Sequence, residues 1–305
     1  MTLSISGIWS PIPTPFDRSG EVDVNRLKDL TDYLIEGGVD GLFPNGTTGE
    51  FALLDREERR RVTEAVVDRA NSRVPVLAGV CDPSPRNVIA FAKDAAEAGA
   101  DGVVATPPYY YRLGEEGLYD HFKMIHESVS LPLVLYNIPE WTHNFVPVSV
   151  VSRLAREEVV VGMKYTEYNF LNMVRFINAA GDKMSVLTGS DAMTYSCLEA
   201  GGSGAVISVS NILPREASSI YDLFKEGRLH DAKRVQESIL PAIEAAGVGY
   251  FPAGVKEAMK VAGFPVGEVR RPQTRLTPDE RETVKALLKG LKYGGRENHR
   301  LGIKR

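Results

Sequence analysis

Apolar and polar positions along this chain follow two alternating rhythms. Short apolar runs rich in Val, Ile and Leu, the pattern of strands covered on both faces, predict strands over 7–11, 41–45, 75–80, 102–106, 132–137, 159–166, 185–189 and 205–210. Amphipathic spacing between them predicts helices over 25–36, 56–70, 85–98, 115–128, 147–156, 170–180, 192–200 and 214–225. One phrase recurs at the joints: Glu36-Gly37-Gly38-Val39-Asp40-Gly41, Glu97-Ala98-Gly99-Ala100-Asp101-Gly102 and Glu199-Ala200-Gly201-Gly202-Ser203-Gly204. Each closes a helical pattern and precedes an apolar run, and glycine just past a helix permits the left-handed closing conformation. A joint used three times points to a repeated βα unit.

Eight such alternations predict an α/β protein, a (β/α)8 barrel over 1–226. An open doubly wound sheet fits less well, because no GxGxxG or Walker-type loop follows any strand. Beyond 226 the strand signal stops. Helical patterns over 229–246, 251–261 and 278–291 predict a C-terminal three-helix domain over 227–292, and the glycine-rich basic stretch 293–305 reads as a frayed tail.

Composition narrows the function. With 43% hydrophobic and 25% charged residues and a net charge of −4 from interspersed acids and bases, no nucleic-acid or membrane partner is expected. Cys81 and Cys197 stand far apart without CxxC spacing, so they read as free thiols of a reducing cytoplasm. The first residues carry neither a basic segment nor a long apolar one, and export is not expected. His121, His126, His143, His230 and His299 form no HxH or HExxH spacing, so neither a catalytic metal nor another cofactor is expected.

A barrel of this kind carries its site at the C-terminal ends of its strands. Those ends hold Asn45-Gly46-Thr47-Thr48-Gly49-Glu50, Thr106-Pro107-Pro108-Tyr109-Tyr110-Tyr111, Tyr136-Asn137-Ile138-Pro139, Lys164, Gly189-Ser190-Asp191 and Ser208-Val209-Ser210. Lys164 follows Val-Val-Val-Gly-Met, a setting that disfavours an ammonium. Strand alternation puts Gly162, Lys164 and Thr166 on one face, and an inward face would let Gly162 leave space beneath the amine. A desolvated lysine becomes a nucleophile able to form a Schiff base with a carbonyl. The competing reading is a structural lysine paired with Glu50 or Asp191. Tyr136 would bring a phenol one strand away that can carry protons. The Gly46–Gly49 turn could offer backbone N–H groups to a small carboxylate, although it also reads as a plain tight turn. Asp191 would repel a phosphate and suit a hydroxyl.

Together, Gly46-Thr47-Thr48-Gly49-Glu50, Pro108-Tyr109-Tyr110, Tyr136-Asn137-Ile138-Pro139 and Gly162-Met163-Lys164 resemble the dihydrodipicolinate synthase / N-acetylneuraminate lyase family of class I aldolases. The resemblance spans about 7–291. It implies a (β/α)8 barrel with a helical C-terminal domain, a homotetramer built as a dimer of dimers, whose substrates are pyruvate and an aldehyde. By that likeness Lys164 forms the imine with pyruvate and Tyr136 moves protons. Thr47 links it to a tyrosine from a neighbouring subunit, the position matched by Tyr110. The backbone at Thr47 and Thr48 holds the pyruvate carboxylate, and the Ile207 carbonyl faces the lysine nitrogen. Asp191, Ser208 and Trp141 are expected on the acceptor side, and Gly189 is a further substrate-binding candidate.

Two departures bear on the acceptor. Synthases of the family read Tyr-Asn-x-Pro-x-Arg-Thr-Gly, the arginine gripping a carboxylate of aspartate semialdehyde, whereas this chain has Trp141 there. Sialic-acid lyases carry a second acid after the aspartate, where Ala192 stands here. The leading expectation is therefore cleavage of a 2-keto-3-deoxy sugar acid. Dihydrodipicolinate synthesis is its alternative, and a non-catalytic barrel with a structural lysine is the reading from another class.

Overall fold

The computed structural model describes residues 5–291 of the chain. Its strands are β1 (Gly7–Pro11), β2 (Gly41–Phe43), β3 (Leu77–Gly79), β4 (Gly102–Ala105), β5 (Leu133–Asn137), β6 (Gly162–Tyr165), β7 (Ser185–Thr188) and β8 (Gly204–Val206). All neighbouring pairs are parallel, in the order β2-β1-β8-β7-β6-β5-β4-β3. A parallel bridge between Leu42 and Val76, with the Leu42 N–H donating to Pro75 O at 3.0 Å, draws β2 to β3 and brings the sheet round into a (β/α)8 barrel.

The three recurring joints behave as the sequence predicts. Gly38, Gly99 and Gly201 have φ of +87°, +80° and +93°, so the same glycine position turns each helix into the next strand. Helix starts are also local in origin. Asp55 and Glu58 form a reciprocal capping box ahead of helix Arg56–Ala70, and Asn169 caps helix Phe170–Ala180.

Trp9, Phe43, Leu77, Val104, Val134, Leu187 and Val206 point inward and fill the barrel, while larger apolar clusters lie between sheet and helices. Except in β1 and β5, the strands end before the apolar runs do, and the residues beyond those C-terminal ends leave the ladder to build the mouth. Residues 207–210 illustrate this: the strand expected there stops at Val206, and Ser208–Asn211 form a 3-10 turn.

Among the described residues the C-terminal region holds four helices where three are expected. The pattern over 229–246 breaks into Leu229–Ser238 and Leu240–Ala246. Pro241, in the first turn of the second piece, has no N–H to donate backwards, so the ladder is interrupted. Helix Leu240–Ala246 rests against both Asp191–Met193 and Ser208–Asn211, roofing one side of the mouth. Cys81 and Cys197 are free and buried. The tail expected over 293–305 lies outside the described residues. Among the described residues no helix is long and apolar enough to cross a membrane.

Candidate active site

Lys164 is only 5% exposed, at the top of the packed barrel interior. β5 and β6 pair Tyr136 directly with Lys164, and the amine lies 4.3 Å from the centroid of the Tyr136 ring and 5.4 Å from that of Phe43. The floor below is apolar, lined by Ile5, Trp9, Val134 and Leu187 among others. Among the described residues Nζ makes no hydrogen bond and no carboxylate lies within 4.0 Å of it.

Neither carboxylate considered as its structural partner takes that part. Glu50 is paired with Lys256 Nζ at 2.5 Å, in a contact buried at both ends. Asp191 accepts from Ser208 Oγ at 3.1 and 3.2 Å and from the Val209 N–H at 2.6 Å. Burial raises the Asp191 carboxyl above the usual carboxylate range, against those hydrogen bonds and the attraction of Lys164 across the cavity. The residue still keeps partial access to the cavity, so the burial is of the carboxyl group within its wall.

The glycine that makes room for the amine is not Gly162. A Cβ there would meet Ile5 Cδ1 at 3.2 Å, so Ile5 fills that space. The facing glycine is Gly189, where a Cβ would stand 2.7 Å from Lys164 Cε and 1.8 Å from Thr166 Oγ1. Alternation along one strand predicts the side that Lys164 faces, but the glycine opposing it comes from the next strand.

Above the lysine opens a cavity of about 790 Å³. Thr47, Thr48, Tyr136, Lys164, Gly189, Asp191, Ser208 and Trp141 all line it, so most of the predicted site is brought together. Thr47 Oγ1 lies 3.5 Å from the Tyr136 hydroxyl. The turn of 46–50 closes on itself through Gly49 N–H to Gly46 O and Glu50 N–H to Thr47 O, at 3.0 and 3.1 Å. Among the described residues the N–H groups of Thr47 and Thr48 donate to nothing, which leaves two donors for an anion.

Two predicted residues stand apart. The Ile207 carbonyl accepts from Ser210 Oγ at 2.6 Å and makes no hydrogen bond with Lys164, because the chain turns into its 3-10 turn at that point. Tyr110 is 80% exposed, has φ of +86° and packs on Tyr111. It does not line the cavity of its own chain.

The cavity also holds groups that the sequence reading did not select. Among the described residues Thr166 Oγ1, buried beside Lys164, has no hydrogen-bond partner, and its place two residues on from the lysine is the available signal. Ile243 and Ala246 come from helix Leu240–Ala246, Gly247 and Phe251 from the connection that follows it, and Phe251 packs edge-on against Trp141 at 6.0 Å. Nothing in their local pattern marks them. Among the described residues no arginine lines the cavity. Among the described residues no cluster of three or more His, Cys, Asp or Glu could hold a metal ion.

An α/β barrel with a buried amine, a phenol and two free backbone donors at its mouth has the layout of a barrel enzyme's site. The chain belongs to the dihydrodipicolinate synthetase family, whose sequence profile matches residues 4–291. It is similar to the 4-hydroxy-tetrahydrodipicolinate synthase of Syntrophus aciditrophicus, with 38% identity over 283 residues, 93% of this chain and 96% of that protein. The dihydrodipicolinate synthase DapA-2 of Bacillus anthracis superposes with a TM-score of 0.92 at 31% identity, covering 95% of this chain and 100% of the other. A prophage protein of the dihydrodipicolinic acid synthase family from E. coli K12, solved with pyruvate, gives 0.90 at 31% identity, with 93% and 97% covered. The protein is thus an enzyme, a lyase-type aldolase of this family.

Proposed function

We propose that the protein is a pyruvate-dependent class I aldolase whose Lys164 forms an imine with the C2 carbonyl of pyruvate. The observation that carries this reading is the buried, unpaired Lys164 amine held against Tyr136 at the floor of the cavity. The amine adds to C2 and, with one proton delivered through Tyr136, loss of one water leaves a protonated imine. That imine withdraws electrons, a proton leaves C3, and the enamine attacks the aldehyde carbon. Tyr136 moves the protons, with Thr47 3.5 Å away as its hydroxyl partner. The free N–H groups of Thr47 and Thr48 hold the pyruvate carboxylate. Tyr110, exposed on its own chain, would extend the relay in a neighbouring subunit of a homotetramer.

For the acceptor, the names of the relatives favour aspartate semialdehyde, and with it dihydrodipicolinate synthesis, over the sugar-acid reading that leads from the sequence. One observation keeps a hydroxyaldehyde as the second reading. Trp141 lines the cavity, no arginine among the described residues does, and Thr166, Asp191 and Ser208 present groups suited to hydroxyls.

Borohydride reduction in the presence of pyruvate tests the covalent step. One reduced pyruvate should appear on the peptide carrying Lys164, and Lys164→Ala should lose both label and turnover. A fully active Lys164→Ala enzyme would end the Schiff-base reading.

A further inference from the structure

A second buried lysine lies outside the proposed chemistry. Lys256, on helix Ala253–Val261, is 2% exposed. Its Nζ sits 2.5 Å from Glu50 Oε1, donates to Thr14 O at 2.8 Å and to Glu268 O at 3.2 Å, and lies 4.4 Å from the centroid of the Phe16 ring. The other oxygen of Glu50 accepts from the Arg270 N–H at 2.8 Å. Thr14 Oγ1 in turn donates to Gly49 O at 2.7 Å. One ammonium therefore touches both the segment that pins Gly49 and the residue that ends the 46–50 turn.

Glu50 holds φ of +57°, a left-handed conformation that a non-glycine residue keeps only when its surroundings impose it. Its N–H closes the turn on Thr47 O at 3.1 Å. A buried ion pair is weak as a source of net stability, since desolvation offsets most of its attraction. Its geometric consequence here is specific. It fixes the residue that ends the turn whose N–H groups, at Thr47 and Thr48, are left free.

We infer that Lys256 and Glu50 are positioning residues for the pyruvate carboxylate, holding Thr47 and Thr48 in place from the C-terminal helices. The inference rests on the pyruvate reading above. It makes the docking of helix Ala253–Val261 a condition for binding the keto acid, while the acceptor, on the Trp141 and Asp191 side, is left outside its reach.

The test uses the full-length protein and the paired change Lys256→Met/Glu50→Gln, which removes both charges together and leaves neither buried alone. Melting temperature, borohydride trapping and separate KM values for pyruvate and the aldehyde are measured. The paired variant should stay folded with a melting temperature close to that of the unmodified protein. Its pyruvate KM should rise at least about tenfold, while the aldehyde KM changes less than about twofold. Lys256→Arg, which keeps the charge, should fall between the two proteins. A folded paired variant with an unchanged pyruvate KM would overturn the positioning role and leave the Schiff base intact. If the paired variant does not fold, Glu50→Gln alone, nearly isosteric, is read by the same split. Failure of the unmodified protein to trap pyruvate would remove the pyruvate reading and this inference with it.

Discussion

Tyr136 and Lys164 are direct partners across β5 and β6, and the lysine amine lies 4.3 Å from the centroid of the tyrosine ring. The ring and the hydroxyl of Tyr136 therefore do separable things. The ring face supports positive charge at Nζ, and the hydroxyl, 3.5 Å from Thr47, can carry a proton. Tyr136→Phe keeps the first and removes the second. We expect kcat to fall about 10²–10⁴-fold, the range for a lost general acid–base group, with imine formation slowed and the melting temperature little changed. A Phe variant within about tenfold of the parent rate would show that protons travel by another route.

Two glycines near the lysine should respond in opposite ways to one added methyl group. At Gly189 the new Cβ would collide with Thr166 Oγ1 at 1.8 Å and crowd Lys164 Cε at 2.7 Å. At Gly162 it would press only on Ile5 Cδ1, at 3.2 Å, and Ser185 O, at 3.4 Å. Gly189→Ala should cut the rate of pyruvate trapping by about a hundredfold or more, as expected when a reacting group is displaced by about 1 Å. Gly162→Ala should keep trapping and lose roughly 1–3 kcal/mol of stability from overpacking. Equal trapping by the two variants would refute the assignment of Gly189.

A pH dependence of stability follows from His121. One ring nitrogen, Nε2, lies 3.0 Å from Thr106 O, and Nδ1 is buried without a partner. Burial pushes the imidazole down to about 4, against the raising effect of the Thr106 hydrogen bond. Between the ordinary value of 6.5 and about 4 the unfolded chain binds the proton and the folded one resists it. Stability tied to His121 is therefore full above pH 6.5 and is lost as pH falls towards 4, by roughly 3 kcal/mol at the acid end. Because other groups titrate there too, the comparison is with His121→Gln, which keeps a donor for Thr106. Its unfolding free energy should fall less steeply with acid than that of the parent, and parallel curves would refute the role of His121.

What the sequence makes legible is whatever depends on neighbours along the chain. The glycine joints at 38, 99 and 201, the capping box of Asp55 and Glu58, and Tyr136 and Lys164 on inward faces are all local patterns. Distant pairings are not legible in this way. The sequence offers Glu50 to Lys164, whereas the fold gives Glu50 to Lys256, a residue on a C-terminal helix more than two hundred positions away. The hint was that Lys256, like Lys164, stands in an apolar run, Ala253-Gly254-Val255-Lys256. Phe251 reaches Trp141 only because the C-terminal helices fold back over the mouth. The split near Pro241 was readable from the proline itself.

Trp141 sets up the test of the acceptor. It is 47% exposed, lines the cavity with Lys164 and packs edge-on against Phe251, so it presents an apolar wall. An arginine at this position could grip the carboxylate of aspartate semialdehyde through two parallel hydrogen bonds. Such a charge-assisted contact contributes roughly 1.5–3 kcal/mol. Trp141→Arg should therefore shift the kcat/KM ratio of aspartate semialdehyde to glyceraldehyde upward by about tenfold or more. Asp191→Ala should act on the other arm, weakening glyceraldehyde turnover while leaving imine formation with pyruvate nearly unchanged. An unmoved ratio in Trp141→Arg would place Trp141 outside the acceptor path. The preference of the unmodified protein then separates the two acceptor readings. Faster condensation with aspartate semialdehyde upholds the synthase reading that the relatives favour and requires that some group other than an arginine of the cavity wall receives its carboxylate. Faster condensation with glyceraldehyde upholds the sugar-acid reading, with Asp191, Ser208 and Thr166 as the hydroxyl partners.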